Sequence, residues 1–148
     1  MEVINLLHLS SQSELRQWLE ENHNEEKCCW VVTYRGKRPE WPAIPYIEVV
    51  EEALCFGWID STLKKLPDGR LAQRLSPRRK NSHWTKLNMD RCMDLEDRGL
   101  MTPAGRRAFE NAYGWGYQVF HPTPEQRKQM IEEARERRPA LYEKMSPE

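Results

Sequence analysis

The chain has 148 residues, of which 39% are hydrophobic and 31% charged, and its formal net charge is zero. This length suits a single compact domain over residues 1–148, and a hydrophobic content that includes six Trp and five Tyr excludes a disordered or collagen-like chain. No stretch approaches the roughly 18 consecutive apolar residues of a membrane helix, and the N-terminus lacks the pattern of a signal peptide.

The zero net charge hides an uneven distribution along the chain. Residues 1–63 contain 5 Lys/Arg and 11 Asp/Glu, residues 64–91 contain 9 and 2, and residues 92–148 contain 9 and 10. The middle block therefore carries a net charge of +7 in a chain that is otherwise acidic or neutral. This pattern indicates a local anion site rather than a polycation that coats nucleic acid.

The cysteines and histidines indicate neither a disulfide framework nor a metal site. The cysteines form no CxxC pair, so free thiols in a reducing cytoplasm are expected, and the four His are scattered singly. The common nucleotide and hydrolase motifs are also absent, and we expect no cofactor. The cysteines are Cys28, Cys29, Cys55 and Cys92.

A helix and a strand are predicted first. Ser11 or Ser13 can cap a helix whose apolar residues repeat every three to four positions, and this helix should end near residues 22–24. Residues 28–35 are rich in β-branched and aromatic side chains, which is typical of a strand, and Gly36 closes them before a proline-stiffened loop.

A second helix is predicted over residues 46–56. Its apolar residues lie on one stripe, and Gly57 is a typical C-terminal stop. Three glutamates lie away from this stripe: Glu48, Glu51 and Glu52.

The strongest local signal in the chain is a β-hairpin over residues 58–76. Pro67-Asp68-Gly69 carries turn chemistry between two segments of strand length, residues 58–66 and 70–76. The hairpin places Lys64 on one strand and Arg74 on its neighbour.

Three helices are predicted in the C-terminal half, over residues 84–98, 102–112 and 123–138. Gly99 ends the first, Thr102 caps the second, and Thr123 forms a capping box with Gln126 at the start of the third, whose contact with the core is expected to be thin. Residues 113–122 form a glycine- and aromatic-rich loop between the last two helices. The whole pattern predicts an α+β fold, in which a small antiparallel sheet of strands near 28–35, 58–66 and 70–76 is flanked by helices on one face.

Four separate motifs resemble the bacterial YdeI/OmpD-associated family, also called bacteriocin-protection proteins. They are EALCFGWIDS at 52–61, AQRLSPRRKNSHW at 72–84, the Asn88 and Arg91 that follow, and LMTPAG at 100–105. The resemblance covers about residues 15–109. It implies a link to an outer-membrane porin and to protection from antibacterial proteins, and it implies that this chain lacks the family's usual C-terminal helical segment.

A weaker likeness, carried by a helix before strands and by KNSHW at 80–84, is to the YjbR and CyaY-like superfamily. It implies an antiparallel sheet flanked by helices, in agreement with the α+β prediction.

The predicted binding site lies on the hairpin and its exit loop. Arg74 with Arg78 or Arg79 could clamp a phosphate or a carboxylate, while hydroxyl and imidazole groups add donors. The candidate ligand-binding residues are Asp60, Ser61, Lys64, Arg74, Arg78, Arg79, Ser82, His83 and Trp84.

Two of the aromatic residues near this region have two interpretations each. Trp58 and Trp84 could stack on an aromatic ligand beside the guanidinium groups, or they could anchor the core. Asp60 could orient Arg74 or Arg78, which is the common role of a carboxylate among arginines.

The favoured function is a noncatalytic binding or stress-protection protein that recognises an anionic small molecule or protein surface. An enzyme with Asp60 and His83 as acid and base is the first alternative. A nucleic-acid-binding module with a basic hairpin is the second, although the pI of 6.9 argues against it. The sequence leaves the oligomeric state open.

Overall fold

The computed structural model describes residues 2–80, 84–115 and 123–142. It confirms an α+β fold with a five-stranded sheet. The strands are β1 (Leu6–Leu7), β2 (Cys29–Tyr34), β3 (Ile44–Pro45), β4 (Trp58–Lys65) and β5 (Leu71–Pro77). The helices are α1 (Gln12–Asn22), α2 (Tyr46–Cys55), α3 (Lys86–Asp97), α4 (Pro103–Trp115), α5 (Pro124–Glu136) and α6 (Arg138–Tyr142).

The sheet has the strand order β1-β2-β5-β4, and β3 also pairs with β2. β2, β5 and β4 are antiparallel, as the hairpin signal predicts, whereas β1 and β3 each run parallel to β2. The predicted antiparallel sheet of three strands is therefore confirmed, and the structure adds two parallel pairings that the sequence did not predict. Strands of two residues are too short to show an alternating pattern in the sequence, so the two parallel pairings left no signal.

The hairpin contains a β-bulge in β4. Asp60 pairs with Leu75 and Leu63 pairs with Gln73, so that Ser61 and Thr62 together lie opposite the single residue Arg74. The bulge takes the carbonyl of Thr62 out of the ladder, and the buried Gln73 side chain donates its Nε2–H to that oxygen over 3.2 Å.

The described residues form two compact units. The first, the sheet unit, contains residues 2–53 and 58–77. The second, the helical unit, contains residues 54–57, 78–80, 84–115 and 123–142. The prediction of one domain over residues 1–148 stays a prediction.

The sheet unit buries apolar side chains on both faces of its sheet. On one face, α1 contributes Trp18, whose ring meets that of Trp58 edge to face with 6.0 Å between centroids. On the other face, Trp30 and Ala72 pack with Leu66, and the partly buried Val3 and Leu6 lie against them. Trp58 is only 1% exposed, so its interpretation as a core anchor is confirmed.

α2 also carries buried charge in this unit. Glu51 and Glu52 lie away from the apolar stripe, yet both are buried. Gln12 and Arg16 of α1 explain the burial of Glu52, because they donate hydrogen bonds of 2.6 and 3.0 Å to its two carboxylate oxygens. Desolvation raises the pKa of Glu52 above its usual value even with Arg16 beside it.

The helical unit is built around α3, which buries both apolar and charged residues. Cys92 and Leu95 are fully buried, and so is the carboxylate of Asp94. Asp94 accepts a hydrogen bond from Arg138, forms an ion pair of 3.0 Å with Arg98, and accepts a hydrogen bond from the hydroxyl of Tyr142. An ionic network therefore replaces part of the apolar core of this unit.

The observed ends of the C-terminal helices agree only in part with those predicted from the sequence. Thr123 and Gln126 form the expected capping box, and Ala134 is the one buried residue of α5, so the thin apolar contact is confirmed. α4 continues to residue 115, so the loop predicted from residue 113 starts too early. The rest of that loop, residues 116–122, lies outside the described residues. The short helix α6 was not predicted.

Candidate functional site

Three of the predicted site residues share one face of the hairpin. Lys64 lies directly opposite Ala72, which is on the same face of β5 as Arg74. Ser61 lies opposite Arg74 in the bulge and is exposed, while Lys64 and Arg74 are half-buried. The bulge is essential to this arrangement, because one residue fewer or more in β4 would turn Lys64 to the opposite face. We call Ser61, Thr62, Lys64 and Arg74 the hairpin face.

Arg74 differs from its neighbour Arg70 in its charge partners. Arg70 is held by Asp68, with 2.8 Å between Nε and Oδ2. No residue of the described ranges forms an ion pair with Arg74. The guanidinium of Arg74 is thus the cation of the hairpin face that can accept an external anion without breaking an existing pair.

Asp60 lies on the opposite face of the sheet. It pairs with Leu75, whose side chain is on the other side of β5 from that of Arg74. The register therefore contradicts the interpretation that Asp60 orients Arg74, and the alternative that it orients Arg78 stays a prediction. Its partner is Tyr46, whose hydroxyl donates a hydrogen bond of 2.5 Å to Oδ2 of Asp60.

Tyr46, which the sequence did not single out, links Asp60 to a further cation. The guanidinium carbon of Arg35 lies 3.9 Å from the centre of the Tyr46 ring. Burial and the hydrogen bond to Asp60 raise the pKa of Tyr46 to about 12, so its hydroxyl stays protonated and remains a donor at neutral pH. This arrangement holds the half-buried Asp60 carboxylate in place on its own face of the sheet.

The predicted residues of the exit loop belong to the helical unit. The guanidinium carbon of Arg78 lies 3.7 Å from the centre of the Trp84 ring, and the backbone N–H of Arg78 donates to the carbonyl of Gly57 over 3.0 Å. Arg79 is exposed. Ser82 and His83 lie outside the described residues, so the proposed pairing of His83 with Asp60 stays untested.

Trp84 is one of the buried aromatic residues of the helical unit. It is 6% exposed, and its ring meets that of Phe109 at 6.1 Å between centroids, while Arg78 covers a face of the ring. A ring so enclosed is typical of a core anchor, and the prediction that Trp84 binds a ligand stays untested. Arg78 is correspondingly fixed by this cation–π contact.

Two of the motifs that carry the family resemblance are explained by packing. Thr102 donates its hydroxyl to the carbonyl of Cys55 over 2.5 Å, and its backbone N–H reaches the same oxygen over 3.1 Å. A Cβ at Gly105 would overlap that carbonyl, and Gly57 has φ +74° with Ala104 close by. The end of α2 therefore docks on the start of α4 without room for a side chain, so these motif residues are structural.

Neither a metal site nor a membrane-spanning helix is found among the described residues. No group of three or more His, Cys, Asp or Glu within residues 2–80, 84–115 and 123–142 could hold a metal ion. None of the helices in these ranges is both long and apolar enough to cross a membrane.

Comparisons with known proteins identify the family of the chain. No curated protein and no solved structure is significantly similar to it. The resemblance to the YdeI/OmpD-associated family is not tested by these comparisons and stays a prediction. Residues 7–108, which include the hairpin and α3, match the model of a family described as a domain of unknown function, DUF8412. Because this match covers more than half of the chain, the protein belongs to the DUF8412 family.

Proposed function

We propose that the protein is a noncatalytic binding protein that recognises an anionic ligand or partner through the hairpin face. The observation that carries the proposal is the β-bulge, which brings Ser61, Lys64 and Arg74 to one side of the sheet. Arg74 supplies a planar fork of N–H donors, and Lys64 adds a second positive charge. Arg78 and Arg79, which follow β5 in the sequence, belong to the helical unit, and their part in binding stays a prediction.

The arrangement favours binding over catalysis. Two cations and a hydroxyl can hold an anion, but none of these three groups is a proton acceptor at neutral pH. Asp60, the nearest candidate base in the sequence, lies on the opposite face and accepts a hydrogen bond from Tyr46. A cytoplasmic location is part of the same proposal and is supported by the four free thiols.

The test is a titration of the ¹⁵N-labelled protein with pyrophosphate and with citrate, followed by amide chemical shifts. We expect saturable shifts on residues 61–64 and 72–74 with at least one anion, and an affinity at least about tenfold lower after Arg74→Ala. Lys65→Ala is the matched control. It removes one positive charge from the same strand, but its side chain lies on the opposite face, opposite Leu71.

Equal loss of affinity in Arg74→Ala and Lys65→Ala would mean that general charge, and not the hairpin face, attracts the anion. This outcome, or the absence of saturable shifts on the hairpin with both anions, would overturn the proposal. Amide spectra of both variants also show whether each is folded.

A labelled DNA duplex separates a ligand of limited size from nucleic acid. Fluorescence anisotropy at low and at physiological salt would show saturable binding that weakens steeply with salt if the basic block contacts a phosphate backbone. We expect no saturable binding at physiological salt, because the basic block is confined to a chain with a pI of 6.9. Strong, salt-sensitive binding would replace the proposed function with nucleic-acid recognition.

A further inference from the structure

We propose that α5 and α6 are held on α3 by ion pairs and detach from it at high salt, while the rest of the helical unit stays folded. Residues 124–142, which form these two helices, are called the C-terminal helix pair. The proposal goes beyond the proposed function and does not depend on it, because no residue of the hairpin face takes part.

α3 carries three aspartates on one side. Asp90, Asp94 and Asp97 are spaced four and three positions apart, so their side chains lie along one face of the helix. Asp94 is fully buried, and the side chains of the other two are largely covered. The C-terminal helix pair lies against this row of carboxylates.

Two arginines of the C-terminal helix pair bind all three aspartates. Arg137 forms an ion pair with Asp90, with 3.2 Å between Nη2 and Oδ1. Arg138 forms one ion pair with Asp94 and a second with Asp97, in which Nη2 and Oδ2 are 2.5 Å apart. The acids of these pairs are therefore on α3, and the cations are on the C-terminal helix pair or at its junction.

Water still reaches the arginines of these pairs. Arg135 also donates to Asp97, over 3.1 Å from Nε to Oδ2, and its side chain is 58% exposed. The side chains of Arg137 and Arg138 are 43% and 35% exposed. Dissolved ions can therefore screen these charges, since the Debye length at about 1 M salt is only about 3 Å.

Apolar burial contributes little to the contact. Ala134 and Leu141 are the buried residues of the C-terminal helix pair within the described ranges, and Met130 and Ile131 are half-buried. A helix that docks by the hydrophobic effect usually buries about three to four apolar residues in every two turns. The hydrophobic effect, which salt does not screen, is therefore the smaller part of this contact.

The short helix α6 is held by polar contacts as well. Nη2 of Arg91 donates to the carbonyl of Leu141 over 3.1 Å, and the hydroxyl of Tyr142 donates to Asp94 over 3.2 Å. Water can take the place of each partner when the C-terminal helix pair detaches. The hydration that Asp94 regains then offsets part of the loss of its ion pairs.

Release should unfold α5 and α6 and uncover the aspartates of α3. Isolated helices shorter than about 12 to 15 residues are marginal in water. α5 has 13 residues and α6 has 5, so their amides should exchange with solvent once the contact with α3 is lost. Ionic strength thus controls whether the acidic side of α3 is covered.

Hydrogen–deuterium exchange of the full chain at about 10 mM and about 1 M NaCl tests the proposal. These concentrations change the Debye length from about 30 to about 3 Å. At the higher concentration we expect the amides of residues 124–142 to exchange about tenfold faster, because several partly exposed ion pairs weaken together. The amides of α3 and of β2 should change less than about twofold, which shows that the rest of the chain stays folded.

A matched pair of variants assigns the effect to the ion pairs. Arg135→Gln removes a partner of Asp97 and should speed the exchange of residues 124–142 about threefold at low salt. Lys128→Gln is the control and should leave this exchange unchanged. It removes the same charge from α5, but Lys128 is exposed and forms no ion pair with a residue of the described ranges. Lys, Arg and Gln have similar helix propensities, so neither change weakens α5 by itself.

Three results would overturn the proposal. Exchange of residues 124–142 that is equal at both salt concentrations would mean that apolar contacts hold the C-terminal helix pair. Equal acceleration in α3 would mean that the helical unit opens only as a whole. Equal effects of Arg135→Gln and Lys128→Gln would mean that the total charge of α5, and not its pairing with α3, determines the exchange.

Discussion

Arg138 of the helical unit and Arg74 of the hairpin differ in their ion-pair partners. In the helical unit, Arg138 pairs with Asp94 and Asp97, and Arg135 also pairs with Asp97. On the hairpin, Arg74 pairs with no carboxylate of the described residues. The same residue type therefore stabilises the fold in one region and is open to an external anion in the other.

This difference shows how to interpret the charge blocks of the sequence. Residues 92–148 contain nearly equal numbers of Lys/Arg and Asp/Glu, and the structure pairs many of them between α3 and the segment α5–α6. In residues 64–91 the cations outnumber the acids by 9 to 2, so most of them cannot find a carboxylate nearby in sequence. A local excess of charge, more than its total amount, is what marks a candidate binding surface.

The largest effect is expected in the close helix contact of the helical unit. Gly105→Ala should lower the free energy of unfolding by about 3 kcal/mol, because the new Cβ would overlap the carbonyl of Cys55. Gly99→Ala is the control. Gly99 has φ +73° but nothing within 4 Å of an added Cβ, so strain alone should cost about 1 kcal/mol. The measurement is urea unfolding of both variants. Equal losses of unfolding free energy in the two would contradict this account.

The next effect concerns the buried carboxylate of the ionic network. Asp94→Asn should lower the free energy of unfolding by about 2 to 3 kcal/mol, because Arg98 and Arg138 lose the negative charge that holds them. The loss is not larger because both guanidinium groups remain in contact with water. Asp90→Asn removes a more exposed carboxylate that pairs with Lys86 and Arg137, and should cost less than about 1 kcal/mol. Similar losses in urea unfolding would show that burial of Asp94 adds nothing to its ion pairs.

Acid should weaken the same network. The guanidinium groups of Arg135 and Arg138 lower the pKa of Asp97 from 3.8 to about 2. A depressed carboxyl pKa adds stability above the unfolded value, and this contribution is lost as the pH falls from about 4 to about 2. Asp97→Asn should therefore melt below the wild type at about pH 5, with the difference in Tm shrinking towards about pH 2. A difference in Tm that stays constant over this range would contradict the assignment.

The smallest effect on stability is expected on the hairpin face. Arg74→Ala should change the free energy of unfolding by less than about 1 kcal/mol, because no ion pair in the described residues is broken. Arg138→Ala should cost at least about 1 kcal/mol more, since it removes a partner of both Asp94 and Asp97. A larger loss in Arg74→Ala, measured in the same urea series, would mean that Arg74 is structural.

Local chemistry in the sequence predicts most of the helices and the hairpin. Ser11 caps α1, Thr123 caps α5 in a capping box, and Gly57 and Gly99 end helices with positive φ, as their residue types indicate. These features depend on a few neighbouring residues, so the sequence is sufficient to find them.

The arrangement of the site depends on pairing between distant residues and could not be predicted in the same way. β4 contains no glycine and no other local mark of a bulge, so strict alternation would have put Lys64 on the face of Asp60. Burial of Trp84 depends on Phe109, and the bond of Asp60 to Tyr46 joins β4 to α2. The sequence therefore identifies Ser61, Lys64 and Arg74 as candidates without showing that they share a face.

The central claim is that anion binding depends on the face of the sheet on which the Lys64 cation lies, and not on the net charge of the hairpin. The double substitution Leu63→Lys with Lys64→Leu tests it most directly, because it keeps the composition and net charge and moves the cation to the face of Gln73. In the amide titration with pyrophosphate, we predict that this variant keeps its fold and loses affinity as strongly as Lys64→Ala. An affinity equal to that of the wild type would contradict the account.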